Sequence, residues 1–578
     1  MSAYQGVLGV KKIDTGYQFS VWAPHAKSVS LVGDFNGWDK NTDLMNQADD
    51  GIWWIDNSAA TNNDEYKFCI ETDAHNKMTK NDPRARNMTN SIGNSVIYDD
   101  IFNWKVSDFK LPALHERIIY EMHIGTFNQV SGQRGTFDSA IEKLNDLVEL
   151  GVNVLELMPV NEFAGDISWG YNPASPYTIE EAYGGPDGLK RFIDAAHELG
   201  LGVILDVVYN HFGPSDLDIW QFDGWSENDK GGIYFYNDHR STTPWGETRP
   251  DYGRIEVRDY IKDNALMWLR EFNADGLRMD MLPFMRSISG FDDGQDNIPE
   301  AYQLIQSINA AINSEFPEKM SIAEDLHKQN FITDSVEQGG CGFSAQWDAV
   351  FVHPIRETLT HHSAQDIDMS NVVNALQHTY SDNPFARVIY TESHDEVANG
   401  QSRIVEEVAP GNVDDDFFAR QKGILAATLV LTSAGIPMLF QGQDMKESGW
   451  FDDNKELDWN NKEQFKEYYQ AFQTLIALRK NTNARSPGLT GKETHIIHYD
   501  DQNKVIGYCR SNGFSGEQVY IYLNLSDANI NNYELNELKD EATCLFAWSD
   551  GIVTDDVQIT NGTVNMTSYG VFIFSNNN

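Results

Sequence analysis

The chain has 578 residues, of which 41% are hydrophobic and 22% charged, a composition typical of a soluble globular protein with several domains. Its 87 acidic and 43 basic residues give a net charge of −44, which argues against nucleic acid and anionic membranes as partners. Aromatic residues reach 12%, enough to supply stacking surfaces for flat ligands as well as large cores.

Residues 1–105 are predicted to form an immunoglobulin-like β-sandwich. The segments YQFSVWAP, SVSLVGDF, GIWWIDNS and EYKFCIET alternate or run apolar, and FNGWD and DDG supply turn residues between them. This spacing of short strands is typical of a small sandwich, and no long helical period interrupts it.

From about residue 115 the pattern changes to alternating strands and helices. Apolar strands such as RIIYEMHIG, VNVLELMPV and LGVILDVVYNH are separated by the helical segments FDSAIEKLNDLVELG and GLKRFIDAAHELG, which close at glycine. Repeated βα units of this kind predict a parallel sheet covered by helices. Residues 106–485 have room for eight units, so we expect an α/β fold with a central (β/α)8 barrel and a short insert at about 212–255.

The last part of the chain contains one long apolar segment and then returns to strands. Residues 423–442, GILAATLVLTSAGIPMLFQG, carry no charge, but Gly435 and Pro437 interrupt them. We therefore expect a buried helix, a turn and a buried strand in place of a membrane span. Residues 486–578 include VYIYLNL and YGVFIFS and predict a C-terminal all-β domain, a second β-sandwich.

Cysteine usage and the N-terminal residues indicate the compartment. Cys69, Cys341, Cys509 and Cys544 follow neither CxxC spacing nor a disulfide framework, which indicates packed thiols in a reducing environment. The N-terminal residues lack a basic region followed by a long apolar run, so no secretory signal is expected. We therefore expect a cytoplasmic protein, and a monomer.

Four predicted strands of the barrel end in polar clusters. A single aspartate at a strand end is more often a helix cap than a catalyst, but four clusters in chain order favour one shared site. Chemistry in (β/α)8 barrels gathers where the strands end. The clusters are Asp206, Asn210 and His211; Arg278 and Asp280; Glu324; and His394 and Asp395.

Such a set of carboxylates can cleave glycosidic bonds with retention of configuration. One carboxylate attacks the anomeric carbon and a second acts first as acid and then as base, at a separation of roughly 5–5.5 Å. An arginine beside the nucleophile favours its ionised form, whereas the acid needs a less solvated environment. In ADGLRMDMLPFMR, Arg278 and Asp280 share one strand face, so we expect both to face inward at the barrel mouth.

These motifs resemble a known family. DVVYNHFG, GLRMD, AED and SHDE, in this order, look like the four sequence regions of the α-amylase superfamily, glycoside hydrolase family 13, over residues 115–485. The resemblance implies that Asp280 is the nucleophile and Glu324 the general acid/base. It also implies that Asp395 is a third carboxylate, which binds sugar hydroxyls and stabilises the transition state.

The same resemblance implies a set of substrate-binding residues. Asp206, His211, Arg278 and His394 correspond to residues that line the subsite of the reacting glucose. Tyr171, in WGYNP, corresponds to the tyrosine that stacks on that ring. The alternative for Tyr171 is a core aromatic side chain.

The N-terminal segment resembles the carbohydrate-binding module of family 48. FSVWAPHAKSVSLVGDFNGWD and the later NDPRAR carry this resemblance, which implies a place in glycogen or starch metabolism. Trp38, Trp53 and Trp54 then form either a glucan platform or core and interdomain packing. The sequence leaves both roles open.

Within the family the motifs point in two directions. SHDEVANGQSR and LFQGQDMKESGWFDDNKELDW resemble 1,4-α-glucan branching enzymes, which form α-1,6 branches. LGVILDVVYNHFGPS and SIAED look closer to maltooligosyltrehalose trehalohydrolases, and DMLPFM matches neither pattern. We favour branching, with an α-amylase-type hydrolase or a trehalohydrolase as the alternative. A non-catalytic glucan-binding protein is the distant alternative, because all three carboxylates are present.

The expected partners are α-glucans such as amylose, starch, glycogen and maltooligosaccharides. The insert 212–255 holds aromatic residues that form either a glucan surface or a self-packed loop. Many relatives bind calcium near the residue matching Asn210, so a calcium ion is the alternative, but no EF-hand-like run occurs, and we expect catalysis without a required cofactor or catalytic metal. The insert aromatics are Trp220, Trp225, Tyr234, Tyr236 and Trp245.

Overall fold

The structure is a computed structural model that describes residues 6–72, 76–291, 294–513, 517–538 and 542–576. Its first ten strands are β1 (Gly9–Ile13), β2 (Gly16–Trp22), β3 (Ser28–Gly33), β4 (Asp43–Leu44), β5 (Asn46–Gln47), β6 (Ile52–Asn57), β7 (Glu65–Glu71), β8 (Lys77–Lys80), β9 (Asn87–Met88) and β10 (Ser95–Val96).

These strands form two antiparallel sheets that pack on each other. One sheet has the order β1-β2-β6-β5 and the other the order β4-β3-β7-β10-β9, with β8 also paired to β7. The rings of Phe19 on β2 and Tyr66 on β7 meet edge to face, 5.1 Å apart between centroids. Because these strands belong to different sheets, the contact joins both sheets around one core, as expected for a sandwich.

The central part contains a closed barrel of eight parallel strands. Every residue of these strands is buried, which explains their continuous apolar sequence. The barrel strands are β11 (Ile119–Met122), β12 (Val154–Leu157), β15 (Gly202–Val207), β16 (Gly276–Met279), β17 (Met320–Ala323), β18 (Ala345–Trp347), β19 (Arg387–Ile389) and β20 (Ile436–Phe440), and a hairpin of β13 (Asn161–Phe163) and β14 (Pro173–Ile179) follows β12. They pair in chain order, and β20 closes on β11, so the predicted (β/α)8 barrel is confirmed.

Helices surround the barrel and connect its strands. They are α1 (Ile124–Phe127), α2 (Phe137–Ile141), α3 (Leu144–Leu150), α4 (Gly185–Glu198), α5 (Ile255–Arg270), α6 (Leu282–Arg286), α7 (Pro299–Glu315), α8 (Ala349–Thr360), α9 (Met369–Gln377), α10 (Ile404–Val408), α11 (Phe417–Thr432), α12 (Asn461–Gln464) and α13 (Lys466–Arg479). The predicted helix before Gly151 is divided into α2 and α3, and Gly151 ends it with a φ of 104°, a left-handed conformation that favours glycine.

The long apolar segment 423–442 folds as the sequence predicts. It supplies most of α11, a turn that includes Gly435, and β20, all of them buried. Within the described residues, no helix combines the length and apolarity that a membrane span requires.

The C-terminal part is a second arrangement of antiparallel sheets. Its strands are β21 (Glu493–Asp500), β22 (Val505–Ser511), β23 (Gln518–Asn524), β24 (Ile530–Glu534), β25 (Thr543–Ser549), β26 (Ile552–Thr554), β27 (Thr563–Met566) and β28 (Val571–Ser575). Six strands form one sheet in the order β21-β22-β23-β28-β25-β26, and β24 and β27 form a second sheet. Tyr522 of the large sheet and Val564 of the small sheet share one apolar core, so the two sheets form a sandwich.

Three buried arginines hold the end of α11, and we call them the arginine cap. They come from β19, α13 and β22, and they donate to the four consecutive backbone carbonyls of residues 432–435, the last residue of the helix and the three that follow it, where no further helical turn supplies donors. Asp348 pairs with the first of them at 2.9 Å. The donors are Arg387 to Ala434, Arg479 to Ser433 and Gly435, and Arg510 to Thr432.

The insert at 212–255 packs mainly on the N-terminal sheets and on itself. Trp225 stacks on His25 with 4.6 Å between centroids, and Tyr234 meets Trp22 edge to face at 5.6 Å. Trp245 is 38% exposed. Two of the five insert aromatics therefore dock the N-terminal module, and one remains open at the barrel mouth. Those that pack within the insert are Trp220, on Phe235, and Tyr236, on Tyr252.

The tryptophans of the N-terminal module divide between core and surface. Trp53 is buried, and its indole N–H donates to the carbonyl of Ala23 at 3.0 Å. Trp38 and Trp54 are half-buried. A glucan platform on this module is thus restricted to these two side chains among the three predicted candidates.

Candidate active site

Arg278 lies at the centre of the barrel mouth, fully buried on β16. Its Nη1 is 2.6 Å from Asp206 Oδ2 and 3.1 Å from Asp280 Oδ1, and its Nη2 is 2.8 Å from Glu324 Oε2. The guanidinium also lies 4.2 Å from the centroid of the Trp347 ring. Burial alone would lower the pKa of Arg278, but the surrounding carboxylates, led by Asp206 and Glu324, raise it well above its usual value. One cation therefore organises three carboxylates.

Asp280 immediately follows β16 and is held by donors on both oxygens. Asn210 Nδ2 donates to Asp280 Oδ2 at 2.7 Å and to its backbone carbonyl at 2.9 Å. Arg278 donates to Oδ1 at 3.1 Å. Such contacts stabilise a carboxylate charge and fix its orientation. The side chain is 8% exposed, which leaves it accessible from the mouth.

Glu324 follows β17 in a drier environment. Met281 N donates to Glu324 Oε2 at 2.7 Å, and Arg278 Nη2 lies near the same oxygen. Burial raises the pKa of Glu324 to about 8; Arg278 opposes this rise, whereas the charges of Asp280 and Asp395 add to it. This rise favours the protonated form of Glu324 at neutral pH. Because Oε2 accepts a hydrogen bond from Met281 N and lies 2.8 Å from the Arg278 cation, Oε1 is the oxygen better placed to carry a proton.

His394 and Asp395 follow β19 on the other side of the mouth. His394 N donates to Glu121 Oε2 at 3.1 Å, its Nδ1 pairs with Glu121 Oε1, and its Nε2 lies 3.5 Å from Asp395 Oδ2. Burial alone would lower the pKa of His394, but Asp395 and Glu121 raise it to about 9. The Asp395 side chain is 44% exposed, far more than the buried carboxylates around Arg278.

Tyr171 connects the two sides of the mouth. Its hydroxyl donates to Asp206 Oδ2 at 2.6 Å, and its ring stacks on His394 with 4.8 Å between centroids. Burial raises the pKa of Asp206 to about 7, although Arg278 opposes the rise. The tyrosine thus lies in the site and not in the general core.

His211 lies beside the carboxylate cluster. Its Nε2 is 2.9 Å from the carbonyl of Tyr171, and its Nδ1 pairs with Asn210 Oδ1. The imidazole also stacks on Trp245, with 4.7 Å between centroids. Burial lowers the pKa of His211, so this side chain is neutral where His394 is charged.

The structure brings all eight predicted site residues to the same end of the barrel. Contacts of one side chain with the next link seven of them around Arg278, and His211 joins through Asn210 and the backbone of Tyr171. The predicted catalytic residues are Asp280, Glu324 and Asp395, and the predicted binding residues are Asp206, His211, Arg278, His394 and Tyr171.

Sequence reasoning missed two carboxylates inside the barrel. Glu121 on β11 is the partner of His394, and Glu156 on β12 lies opposite Glu121 on the neighbouring strand. Among the described residues, both oxygens of Glu156 lack a hydrogen-bond partner, and burial raises its pKa well above the usual value, with Glu121 adding to the rise. A charged residue within an otherwise apolar strand, as in IIYEM and VLELM, was the available signal.

Asn210 matches the residue near which many relatives bind calcium. Its amide nitrogen donates to Asp280, and its oxygen pairs with His211. In the described ranges, no group of three or more His, Cys, Asp or Glu side chains is arranged to hold a metal ion.

Comparison with known proteins places this geometry in a family. The family described as the α-amylase catalytic domain matches residues 61–549, and carbohydrate-binding module 48, the isoamylase N-terminal domain, matches residues 7–85. The 1,4-alpha-glucan branching enzyme GlgB of Corynebacterium jeikeium is 30% identical, over 96% of this chain and 78% of the relative. The GlgB protein of Nitratidesulfovibrio vulgaris strain Hildenborough is 31% identical, over 77% and 72%.

A solved structure shows the same fold at lower identity. The pullulanase of Anoxybacillus sp. LM18-11, complexed with maltotetraose, matches with a TM-score of 0.78 and 21% identity, over 99% of this chain and 88% of that chain. At 21% identity this match is evidence for the fold alone. The family match over most of the chain, together with the GlgB relatives, shows that this protein belongs to the α-amylase family, glycoside hydrolase family 13, and carries a module of family 48.

Proposed function

We propose that this protein is a retaining 1,4-α-glucan branching enzyme. The observation that carries the chemistry is the asymmetry around Arg278. Asp280 accepts hydrogen bonds on both oxygens, whereas Glu324 is more deeply buried, accepts one on Oε2 from Met281 N, and has a pKa raised to about 8. Two carboxyls with opposite environments are the arrangement that divides nucleophile from acid. The names of the relatives from Corynebacterium and Nitratidesulfovibrio support branching as the overall reaction.

In the first step Asp280 attacks the anomeric carbon of an α-1,4-linked glucan. Glu324 donates the proton on Oε1 to the leaving 4-oxygen, which departs as a free chain end. Arg278 contacts both carboxyls, so their separation is compatible with the short distance that retention requires. The product of this step is a covalent glucosyl–Asp280 ester.

In the second step Glu324, now ionised, removes a proton from the acceptor. A glucan 6-hydroxyl as acceptor gives an α-1,6 branch, and water gives hydrolysis. The choice depends on how well the acceptor side binds sugar and excludes water. Trp245, open at the mouth and stacked on His211, supplies an apolar face for an acceptor ring.

The open side of the mouth is proposed to hold the reacting glucose. Asp395, 44% exposed, has free access to sugar hydroxyls, and the charged His394 beside it orients that carboxylate. Tyr171 offers its ring to the same sugar, and Asp206 accepts hydroxyl donors. We propose domains at 1–105, 106–485 and 486–578, and we propose glucan binding by the first of them.

The proposed chemistry needs no cofactor, because two carboxyls supply both the nucleophile and the proton transfers. Activity should therefore survive exhaustive treatment with EDTA. Loss of activity in the chelator, restored by calcium, would contradict this part of the proposal.

The test of branching is proton NMR of linear amylose after incubation, together with a reducing-end assay. New α-1,6 anomeric signals with few new reducing ends are expected. Reducing ends that rise without α-1,6 signals would identify a hydrolase, and trehalose-capped oligosaccharides would then test the trehalohydrolase alternative. An unchanged polymer would refute both the branching and the hydrolytic reactions on α-1,4-glucans.

A further inference from the structure

The residues that follow Asp280 are bonded to the residues that follow β17. We call residues 281–286, MLPFMR, the clamp segment. At its start, Met281 N donates to Glu324 Oε2 at 2.7 Å, and Leu282 N donates to the Glu324 carbonyl at 2.9 Å. The first five residues of this segment belong to DMLPFM, which matches neither of the two subfamily patterns.

At its other end the clamp segment makes a buried ion pair. Arg286 Nε and Nη2 both lie 2.7 Å from Asp325 Oδ2, and the two side chains are 2% and 0% exposed. Arg286 Nη1 donates to the hydroxyl of Tyr302 at 3.1 Å, and the guanidinium lies 5.2 Å from the Phe331 ring centroid. The backbone N–H of His327 donates to the second oxygen of Asp325 at 3.2 Å. The pair is therefore held from several sides.

The backbone between these two ends adopts an unfavourable conformation. Met281 has φ 38° and ψ 54°, in the left-handed region that non-glycine residues rarely occupy. Such a conformation persists only where surrounding contacts impose it. The contacts at Glu324 and Asp325 are the ones that this segment makes with the neighbouring strand end. Without them we expect Met281 to relax and its N–H to leave Glu324 Oε2.

We propose that the Arg286–Asp325 pair is a positioning device for Glu324. Asp325 is the next residue in the chain, so the pair fixes the backbone from which the Glu324 side chain projects. It also holds the clamp segment, whose Met281 N–H occupies Oε2 and leaves Oε1 to carry the proton. This inference rests on the proposed acid/base role of Glu324.

The size of the effect follows from what acid catalysis demands. A catalytic group has to lie within about 0.5 Å of its productive position. A displacement of about 1 Å, caused by a change away from the chemistry, can cost about 100-fold in rate. Loss of the ion pair should therefore impair proton donation more than nucleophilic attack.

The experiment compares two donors that differ in their need for a proton. In amylose the leaving group is a glucan 4-oxygen, which needs a proton from the acid, whereas α-maltotriosyl fluoride releases fluoride with little assistance. We would measure kcat/KM on both donors for the variants R286M and D325N, since kcat/KM reports the first irreversible step. D348N is the matched control, because Asp348 also forms a fully buried pair, with Arg387 at 2.9 Å.

R286M and D325N are expected to lower kcat/KM on amylose about 100-fold and to lower it on the fluoride by much less. R286K, which keeps the charge, should restore part of the loss on amylose. D348N should change both donors equally or neither. Equal losses on both donors in R286M and D325N, or no loss, would overturn the proposal. D325N and R286K keep the side-chain volume nearly constant, so they decide the question if R286M does not fold.

E324Q separates this inference from the function on which it rests. If E324Q lowers kcat/KM on amylose far more than on the fluoride, Glu324 is the acid. If R286M and D325N then leave that ratio unchanged, only the positioning role fails. If E324Q itself affects both donors equally, the acid/base role fails first.

Discussion

Buried arginines have two different roles in this protein, one at the barrel mouth and one at the end of α11. Arg278, at the barrel mouth, is surrounded by the carboxylates of Asp206, Asp280 and Glu324, which raise its pKa. The arginine cap at the end of α11 faces backbone carbonyls and, among the described residues, one carboxylate, that of Asp348. Burial lowers the pKa of Arg479 well below its usual value, and its arginine neighbours add to this effect.

The difference teaches how to distinguish a functional cation from a structural one. Ion pairs at the mouth place several carboxylates with different pKa values within reach of one another, which is useful for catalysis. Carbonyl contacts at the cap satisfy a helix end and do not bring several carboxylates together. Breaking the first arrangement should change chemistry, and breaking the second should change stability.

The largest effect is expected when a carboxylate partner of Arg278 loses its charge. D280N keeps the shape and the contact with Asn210 but removes the nucleophile, so turnover should fall by about 10⁴-fold or more. Glucan binding should persist, as measured by affinity electrophoresis in amylose-containing gels. A D280N protein with unchanged activity would contradict the proposed mechanism.

The paired arginine variants test the comparison directly. R278M should reduce kcat by about 10²–10³-fold, because the preorganised cation between the carboxylates is lost. R479M should leave kcat unchanged but reduce the free energy of unfolding by about 2 kcal/mol, since the carbonyls of Ser433 and Gly435 lose their donor. Steady-state assays and urea unfolding measure the two quantities. An R479M enzyme with full stability and low kcat would reverse the assignment.

A smaller effect is expected in the pH dependence of the free energy of unfolding, to which Glu324 at the mouth contributes. The folded pKa of Glu324, about 8, lies above the ordinary value of 4.5, so the folded state retains a proton that the unfolded state releases. This group's contribution is fully present below pH 4.5 and is lost as the pH rises towards 8. E324Q should therefore gain stability relative to the parent across this window, by at most about 1.4 kcal/mol per pH unit. Parallel stability curves from pH 5 to 8 would show that Glu324 is not protonated.

The smallest effect concerns the surface charges, which neither arginine group neutralises. The net charge is −44, so the excess acidic side chains repel one another. Salt screens exposed charges over a distance of about 10 Å at 0.1 M. Tm should therefore rise with KCl concentration, whereas the alkaline limb of the kcat/KM profile, which reports the buried Glu324, should move little. A large shift of that limb with salt would place the acid in contact with solvent.

Much of the site was predictable, because its residues follow barrel strands in a recognisable order. The alternation of Arg278 and Asp280 in GLRMD indicated that both face inward, and the structure has them in contact at 3.1 Å. The barrel itself was predictable from strands that are apolar without interruption. The two flanking sandwiches followed from short strands and turn residues.

Other features were not predictable, because they depend on contacts between distant segments. The pairing of Glu121 with His394 joins residues 273 positions apart, and the sequence shows only a glutamate in an apolar strand. The left-handed conformation of Met281 has no signal, since methionine rarely adopts it. The exposure of the insert aromatics was not predictable either, because packing on the N-terminal module determines which of them remain exposed.

The arginine cap also makes the completion of the barrel depend on a segment that is synthesised after it. Arg510, on β22, donates to the carbonyl of Thr432 at the end of a barrel helix. During synthesis the barrel strands emerge from the ribosome before this donor exists. The end of α11 therefore stays incompletely bonded until the C-terminal sandwich forms, so this sandwich completes the barrel that precedes it in the chain.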